Sequence, residues 1–227
     1  MKRVLTLLII VAFNLSTYAQ VLSANKTYYN AKGQSVPCLK GTSVQLNGAG
    51  KIISGILSGN YTYYNGKNQS VPCLKGTTVT FDNAGRLISG TISGNYTYYN
   101  GKNQSVPCMK GTTVHFDNAG RIISGTISGN YTYYNGKNQS VPCTKGTIVH
   151  FDNTGRIISG IISGNYTYYN GKNQSVPCTK GQQVTFFPNG QIKMGVISGN
   201  YTYYRGGRSV SVKKGSAVQF DVNGNLL

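Results

Sequence analysis

Carboxylates, imidazoles and thiols most often carry catalysis, and this chain spaces all three too sparsely for it. Its 227 residues hold four acids, Asp82, Asp117, Asp152 and Asp221, and no Glu. Hydrolysis by paired carboxylates needs two acids a few ångströms apart. Here each acid stands alone at the start of a turn signal, and the matching positions elsewhere are Asn47 and Phe187. His115 and His150 occupy equivalent positions and could face one metal ion, yet no third ligand accompanies them. The five cysteines, Cys38, Cys73, Cys108, Cys143 and Cys178, recur at one fixed interval. With several strands of about 4.8 Å between equivalents, their Cα atoms fall outside the roughly 4.4–6.8 Å that a disulfide spans. Buried free thiols are expected, Val212 standing in the same slot. These residues give no catalytic set, no metal site and no cofactor site, so the expectation is a protein that is not an enzyme.

Binding chemistry is better supplied. The chain carries 22 Lys plus Arg against those four acids, a formal charge of +18, which speaks to partners and solubility rather than to fold. The cations fall into rows. Lys67, Lys102, Lys137 and Lys172, with Lys32, form one. Lys75, Lys110, Lys145 and Lys180, with Lys40 and Lys214, form a second. Arg86, Arg121 and Arg156, with Lys51, form a third. Tyrosines recur beside them: Tyr63, Tyr98, Tyr133 and Tyr168 each precede a second tyrosine. Strand neighbours point to opposite faces, so one of each pair enters the core and the other is displayed, where a ring can stack on a sugar or a base. Tyr63 and its equivalents are taken as the displayed members.

The spacing behind these rows is a 35-residue unit whose copies span 25–59, 60–94, 95–129, 130–164, 165–199 and 200–227. A fixed period of that length means stacked supersecondary units completed by their neighbours. Val79 and Phe81 stay apolar in the copies, as Val or as Phe and Leu, while the residue between them wanders through Gln, Thr and His. That is period two, a strand with one buried face. Val71 and Cys73 flank Pro72 likewise, and Pro confines that strand to an edge or bend. Asn65-Gly66 predicts a hairpin with positive φ at the turn centre. Asn83-Ala84-Gly85 predicts a type I turn closed by a left-handed glycine. Lys75-Gly76 and Ser93-Gly94 mark the remaining corners. Leu87 and Ile92 are both apolar at an odd spacing, which predicts a bulge at Ser89-Gly90. The expected fold is all-β: tandem units of about four short strands each in an antiparallel hairpin array, with a β-solenoid as the alternative. With strands about 4.8 Å apart, the first would be on the order of 100 Å long and the second nearer 30 Å.

The half-unit Val79-x-Phe81-x-x-x-Gly85-x-Leu87-x-x-Gly90 resembles the hairpin of MORN-type repeat proteins, particularly their degenerate bacterial variants. The resemblance covers about half of every unit and implies a scaffold or binding array rather than an enzyme. The Tyr-rich half, residues 60–73, has no counterpart in that pattern.

Residues 1–19 read as a secretory signal peptide: a basic start at Lys2 and Arg3, an apolar run from Val4 to Leu15, and Ala19 before Gln20. The run is shorter than the about 20 residues that span a bilayer, and no later run replaces it, so no membrane span is expected in the mature chain. Cleavage leaves +16 of the +18, because Lys2 and Arg3 depart with the leader. Residues 20–24 then lead into the array. Asn60-Tyr61-Thr62 and Asn68-Gln69-Ser70 are glycosylation sequons where the machinery exists. Together these features predict an exported scaffold, secreted, at a cell surface or in a periplasm, that binds an anionic polysaccharide or another polyanion. The alternative is a self-associating, amyloid-like matrix protein.

Overall fold

Alternating apolar residues give most of the strands one face to bury, and the fold sets these faces against one another in two layers. The computed structural model describes residues 17–205 and 208–227. It is an all-β hairpin array with 24 strands among the described residues. β1 is Tyr18–Val21. Copy one holds β2 (Lys26–Tyr29), β3 (Ser35–Cys38), β4 (Ser43–Leu46) and β5 (Ile52–Ile56). Copy two holds β6 (Tyr61–Tyr64), β7 (Ser70–Cys73), β8 (Thr78–Phe81) and β9 (Leu87–Thr91). Copy three holds β10 (Tyr96–Tyr99), β11 (Ser105–Cys108), β12 (Thr113–Phe116) and β13 (Ile122–Thr126). Copy four holds β14 (Tyr131–Tyr134), β15 (Ser140–Cys143), β16 (Ile148–Phe151) and β17 (Ile157–Ile161). Copy five holds β18 (Tyr166–Tyr169), β19 (Ser175–Cys178), β20 (Gln183–Phe186) and β21 (Ile192–Val196). Copy six holds β22 (Tyr201–Arg205), β23 (Arg208–Val212) and β24 (Ala217–Gln219).

The second hairpin of each copy pairs with the second hairpins on either side. The result is one 12-stranded antiparallel sheet in the order β1-β4-β5-β8-β9-β12-β13-β16-β17-β20-β21-β24. The first hairpin of each copy remains a separate two-stranded ribbon, and bridges such as Cys73 to Ile92 lay it on the sheet. A copy therefore adds two strands to the continuous sheet, not four. At about 4.8 Å per strand the sheet is about 50 Å across, between the two lengths expected from sequence.

The core lies between ribbons and sheet. In copy two, Tyr63, Val71 and Cys73 from the ribbon meet Val79, Phe81, Leu87 and Ile92 from the sheet, and all are buried. The Tyr63 ring stands edge-on to Phe81, with centroids 5.0 Å apart and planes at 81°, the arrangement ring quadrupoles favour. Cys73 fits because its sheet neighbour is Gly90: a Cβ there would stand 2.8 Å from Sγ. All five cysteines are free and buried.

Three sequence expectations shift in detail. The bulge between β8 and β9 falls at Ile88, since Thr80 faces Ser89 while Phe81 faces Leu87. One extra residue there turns both Leu87 and Ile92 inward. The Asn65-Gly66 hairpin forms, but its left-handed residue is Asn68, at φ +56°. Residues 20–24 are more than a lead-in. Leu22 is buried and bonds Thr42 and Gly41 as Ile92 bonds Thr112 and Gly111, so this stretch closes a unit as 90–94 does. Tyr18 and Ala19, the last residues assigned to the leader, lie in β1, and residues 1–16 of that leader fall outside the described residues.

Candidate binding surface

Asn65 is the residue from which the surface is built. Its Oδ1 accepts from the backbone N–H of Lys67 and Gln69, at 2.9 and 3.0 Å. Its Nδ2 donates to Gln69 Oε1 in its own loop and to the Gly120 carbonyl of the next copy, both at 3.1 Å. All four of its hydrogen-bonding positions are used, which makes full burial of an amide tolerable. Gly66 serves the same junction: a Cβ would stand 2.6 Å from the Gly120 nitrogen. Each ribbon loop thus clasps the following copy's sheet turn, and Asn30, Asn100 and Asn135 repeat the bond at 3.0 Å. From sequence Asn65 reads as a turn former. The signal that could have found its second role is its recurrence in five copies and replacement by Arg205 in the sixth.

The clasp places the three cation rows on two rims. Lys67 and its equivalents sit in the ribbon loops, against the sheet turns that carry Arg86, Arg121 and Arg156, so these two rows share one rim. Lys75, Lys110, Lys145 and Lys180 are exposed along the opposite rim, where their backbone N–H groups are held at 2.7 Å by Asn60, Asn95, Asn130 and Asn165. The four acids lie in the sheet turns of the first rim, each engaged by its own turn. Asp82 Oδ1 accepts from the N–H of Ala84 and Arg86, while Asp82 Oδ2 pairs with Arg86 Nε at 2.6 Å. Asp117 and Arg121 repeat that pair. Asp152 takes Thr154 Oγ1 instead, and Asp221 takes Asn225. Arg86 and Arg121 are therefore each paired with one carboxylate, and the lysines carry most of the uncompensated charge.

The tyrosine assignment is reversed within each pair. Tyr63, Tyr98, Tyr133 and Tyr168 are about 1% exposed and belong to the core, where no ligand reaches them. The displayed rings are Tyr64, Tyr99, Tyr134 and Tyr169, each about 40% exposed. Alternation along β6 left either choice open, and edge packing on Phe81 decides it. The displayed rings stand at the junctions between ribbons. Lys137 Nζ donates to Asn173 Oδ1 of the next copy at 2.8 Å and lies 6.0 Å from the Tyr169 ring centre, and Gln139 completes the cleft. Lys32, Lys67 and Lys102 make the same bond to Asn68, Asn103 and Asn138.

Burial raises the Cys38 thiol to about 11 and those of Cys73, Cys108, Cys143 and Cys178 to about 12, the opposite of nucleophile activation. His115 and His150 lie on the outer sheet face with Ser124 between them in register. Two strand intervals of about 4.8 Å separate their backbones, and a zinc site would need at least a third protein ligand beside them. Among the described residues, no three of His, Cys, Asp and Glu come together. No protein-family model matches this chain, and no curated protein matches it.

Proposed function

We propose that this protein is an exported, non-catalytic repeat scaffold that binds an anionic glycan or another polyanion at a cell surface or in a matrix. The observation that carries this reading is the gathering of lysines along two rims while the carboxylates are held by their own turns. Charge arranged in this way attracts a polymer whose own charges repeat. Dispersed acids, imidazoles two strands apart and thiols held protonated by burial support the non-catalytic part. The sheet hairpin's Phe, Gly and Leu spacing supports kinship with MORN-type scaffolds, and the basic, apolar start of the chain supports export.

A fourfold variant, Lys67, Lys102, Lys137 and Lys172 each to Gln, tests it on an immobilised sulfated polysaccharide. The native protein is expected to elute at a clearly higher salt concentration than the variant. Equal elution, or passage of both at low salt, overturns the reading. A second reading, self-association in a matrix, is favoured by the open edge of the sheet at β1, where Gln20 and Val21, which follow the leader, are exposed. Cross-β diffraction from aged protein would support that reading, and a persistent monomer would dismiss it.

A further inference from the structure

Resting on the polyanion reading, we infer that the four clefts between neighbouring ribbons are subsites for one extended β-1,4-linked hexuronate chain, each cleft holding a two-sugar repeat. The Lys-to-Asn bond recurs at four junctions, from Lys32 and Asn68 to Lys137 and Asn173, and at the last of them Gln139 and Tyr169 complete the cleft, with Gln34, Gln69 and Gln104 and Tyr64, Tyr99 and Tyr134 at the matching positions of the other three.

Their free nitrogen groups are all donors. The ammonium gives one of its three protons to Asn and keeps two. The Gln carbonyl is taken by the buried Asn of its own loop, at 3.1 Å for Gln139, which leaves the Gln amide N–H groups free. The junction Asn accepts the lysine through Oδ1 and keeps its own N–H donors. A donor-rich cleft beside a displayed tyrosine face suits a ring that carries a carboxylate and many oxygens. A flexible polyanion without rings would leave the tyrosine unused.

Asn68 adds a second observation. A left-handed position ordinarily favours glycine, and copy one has Gly33 there. Copies two to five hold Asn68, Asn103, Asn138 and Asn173 at φ +55° to +56°. Those are the copies in which a preceding lysine finds an acceptor, and at Asn173 that bond sets the Lys137 ammonium beside the Tyr169 ring.

Spacing selects the polymer. One ribbon per two sheet strands puts successive clefts about 10 Å apart. In a ribbon-like β-1,4-linked chain successive sugars face opposite ways, so one side presents a carboxylate every second sugar, at a comparable interval. An α-1,4-linked chain of the same charge, buckled at its axial linkages, repeats at a different interval. Single-stranded nucleic acid, with a charge and a base on every nucleotide, has no two-unit period.

The test is calorimetric titration of the full chain with β-1,4-linked oligomannuronates of two, four, six and eight sugars. α-1,4-linked oligogalacturonates, oligoglutamates and oligothymidylates of matched charge serve as comparisons. Affinity for the mannuronates should rise severalfold with each added pair of sugars and exceed that of each comparison at equal charge. Tyr134→Ala, at an exposed position, should lower the eight-sugar affinity at least fivefold while the circular dichroism stays unchanged. Equal binding of mannuronates, galacturonates and glutamates overturns the subsite inference and leaves the polyanion reading standing. Tighter binding of the thymidylates replaces the sugar chain with a nucleic acid. No binding of any of these at low salt overturns both.

Discussion

Tyr98, Tyr133 and Tyr168 repeat the core position of Tyr63, yet their hydroxyls differ in circumstance. Tyr63 Oη donates to the Ser35 carbonyl at 3.3 Å, whereas those of Tyr98, Tyr133 and Tyr168 are buried and bond to no described residue. Removing a satisfied hydroxyl costs a hydrogen bond, and removing an unsatisfied one relieves a desolvation penalty. Tyr63→Phe is therefore expected to lose roughly 0.5–1.5 kcal/mol in urea denaturation, and Tyr98→Phe to be neutral or stabilising. Equal losses would contradict the distinction. His115 supplies a pH dependence. Partial burial, then the neighbouring His150, lower its pKa below 6.5. The unfolded chain thus binds the proton more readily, so this residue's contribution is complete above about pH 6.5 and declines as pH falls toward the depressed folded value. His115→Thr, which installs the residue found at Thr80, should flatten the fall in melting temperature between pH 7 and pH 5. An unchanged slope in the variant would assign the acid sensitivity elsewhere.

At the scale of the element, the ribbon loop and the sheet turn it clasps bind one copy to the next. Gly66→Ala places a Cβ against the Gly120 backbone, which cannot yield as a side-chain end would. Gly111 is left-handed at φ +76° but has nothing within 4 Å of the added carbon, so Gly111→Ala should cost only the roughly 1–2 kcal/mol of a left-handed alanine. Gly66→Ala should cost more than that and should speed amide exchange on both sides of the junction between copies two and three. If the two substitutions cost the same, the clasp is not a structural joint. The alternation of Val79 and Phe81 made the sheet strands legible from sequence, and Gly85 made its turn legible, because each signal is local. The division of hairpins into ribbons and sheet was not legible, since near-identical copies offer every strand many equivalent partners. The buried role of Asn65 and the choice between Tyr63 and Tyr64 depend on contacts 55 residues away or on packing across layers, which local pattern does not encode.

Taken whole, the molecule is a two-layered array in which lysine rims run the length of the sheet, with displayed tyrosines at every junction. The candidate cations were legible in the sequence as rows. Their convergence on two rims, and the pairing of Arg86 and Arg121 with carboxylates, came only with the fold. A polymer lying along such a rim displaces counterions at each contact, so its affinity should fall steeply and linearly in a double-logarithmic plot against salt. The most direct measurement is the binding constant of the full chain for a long polyuronate between 50 and 200 mM salt. The expected slope is close to the number of lysines engaged, about four where the junction lysines are used, with a decline of at least tenfold. A flat line across that range, or no binding at its lower end, would contradict it.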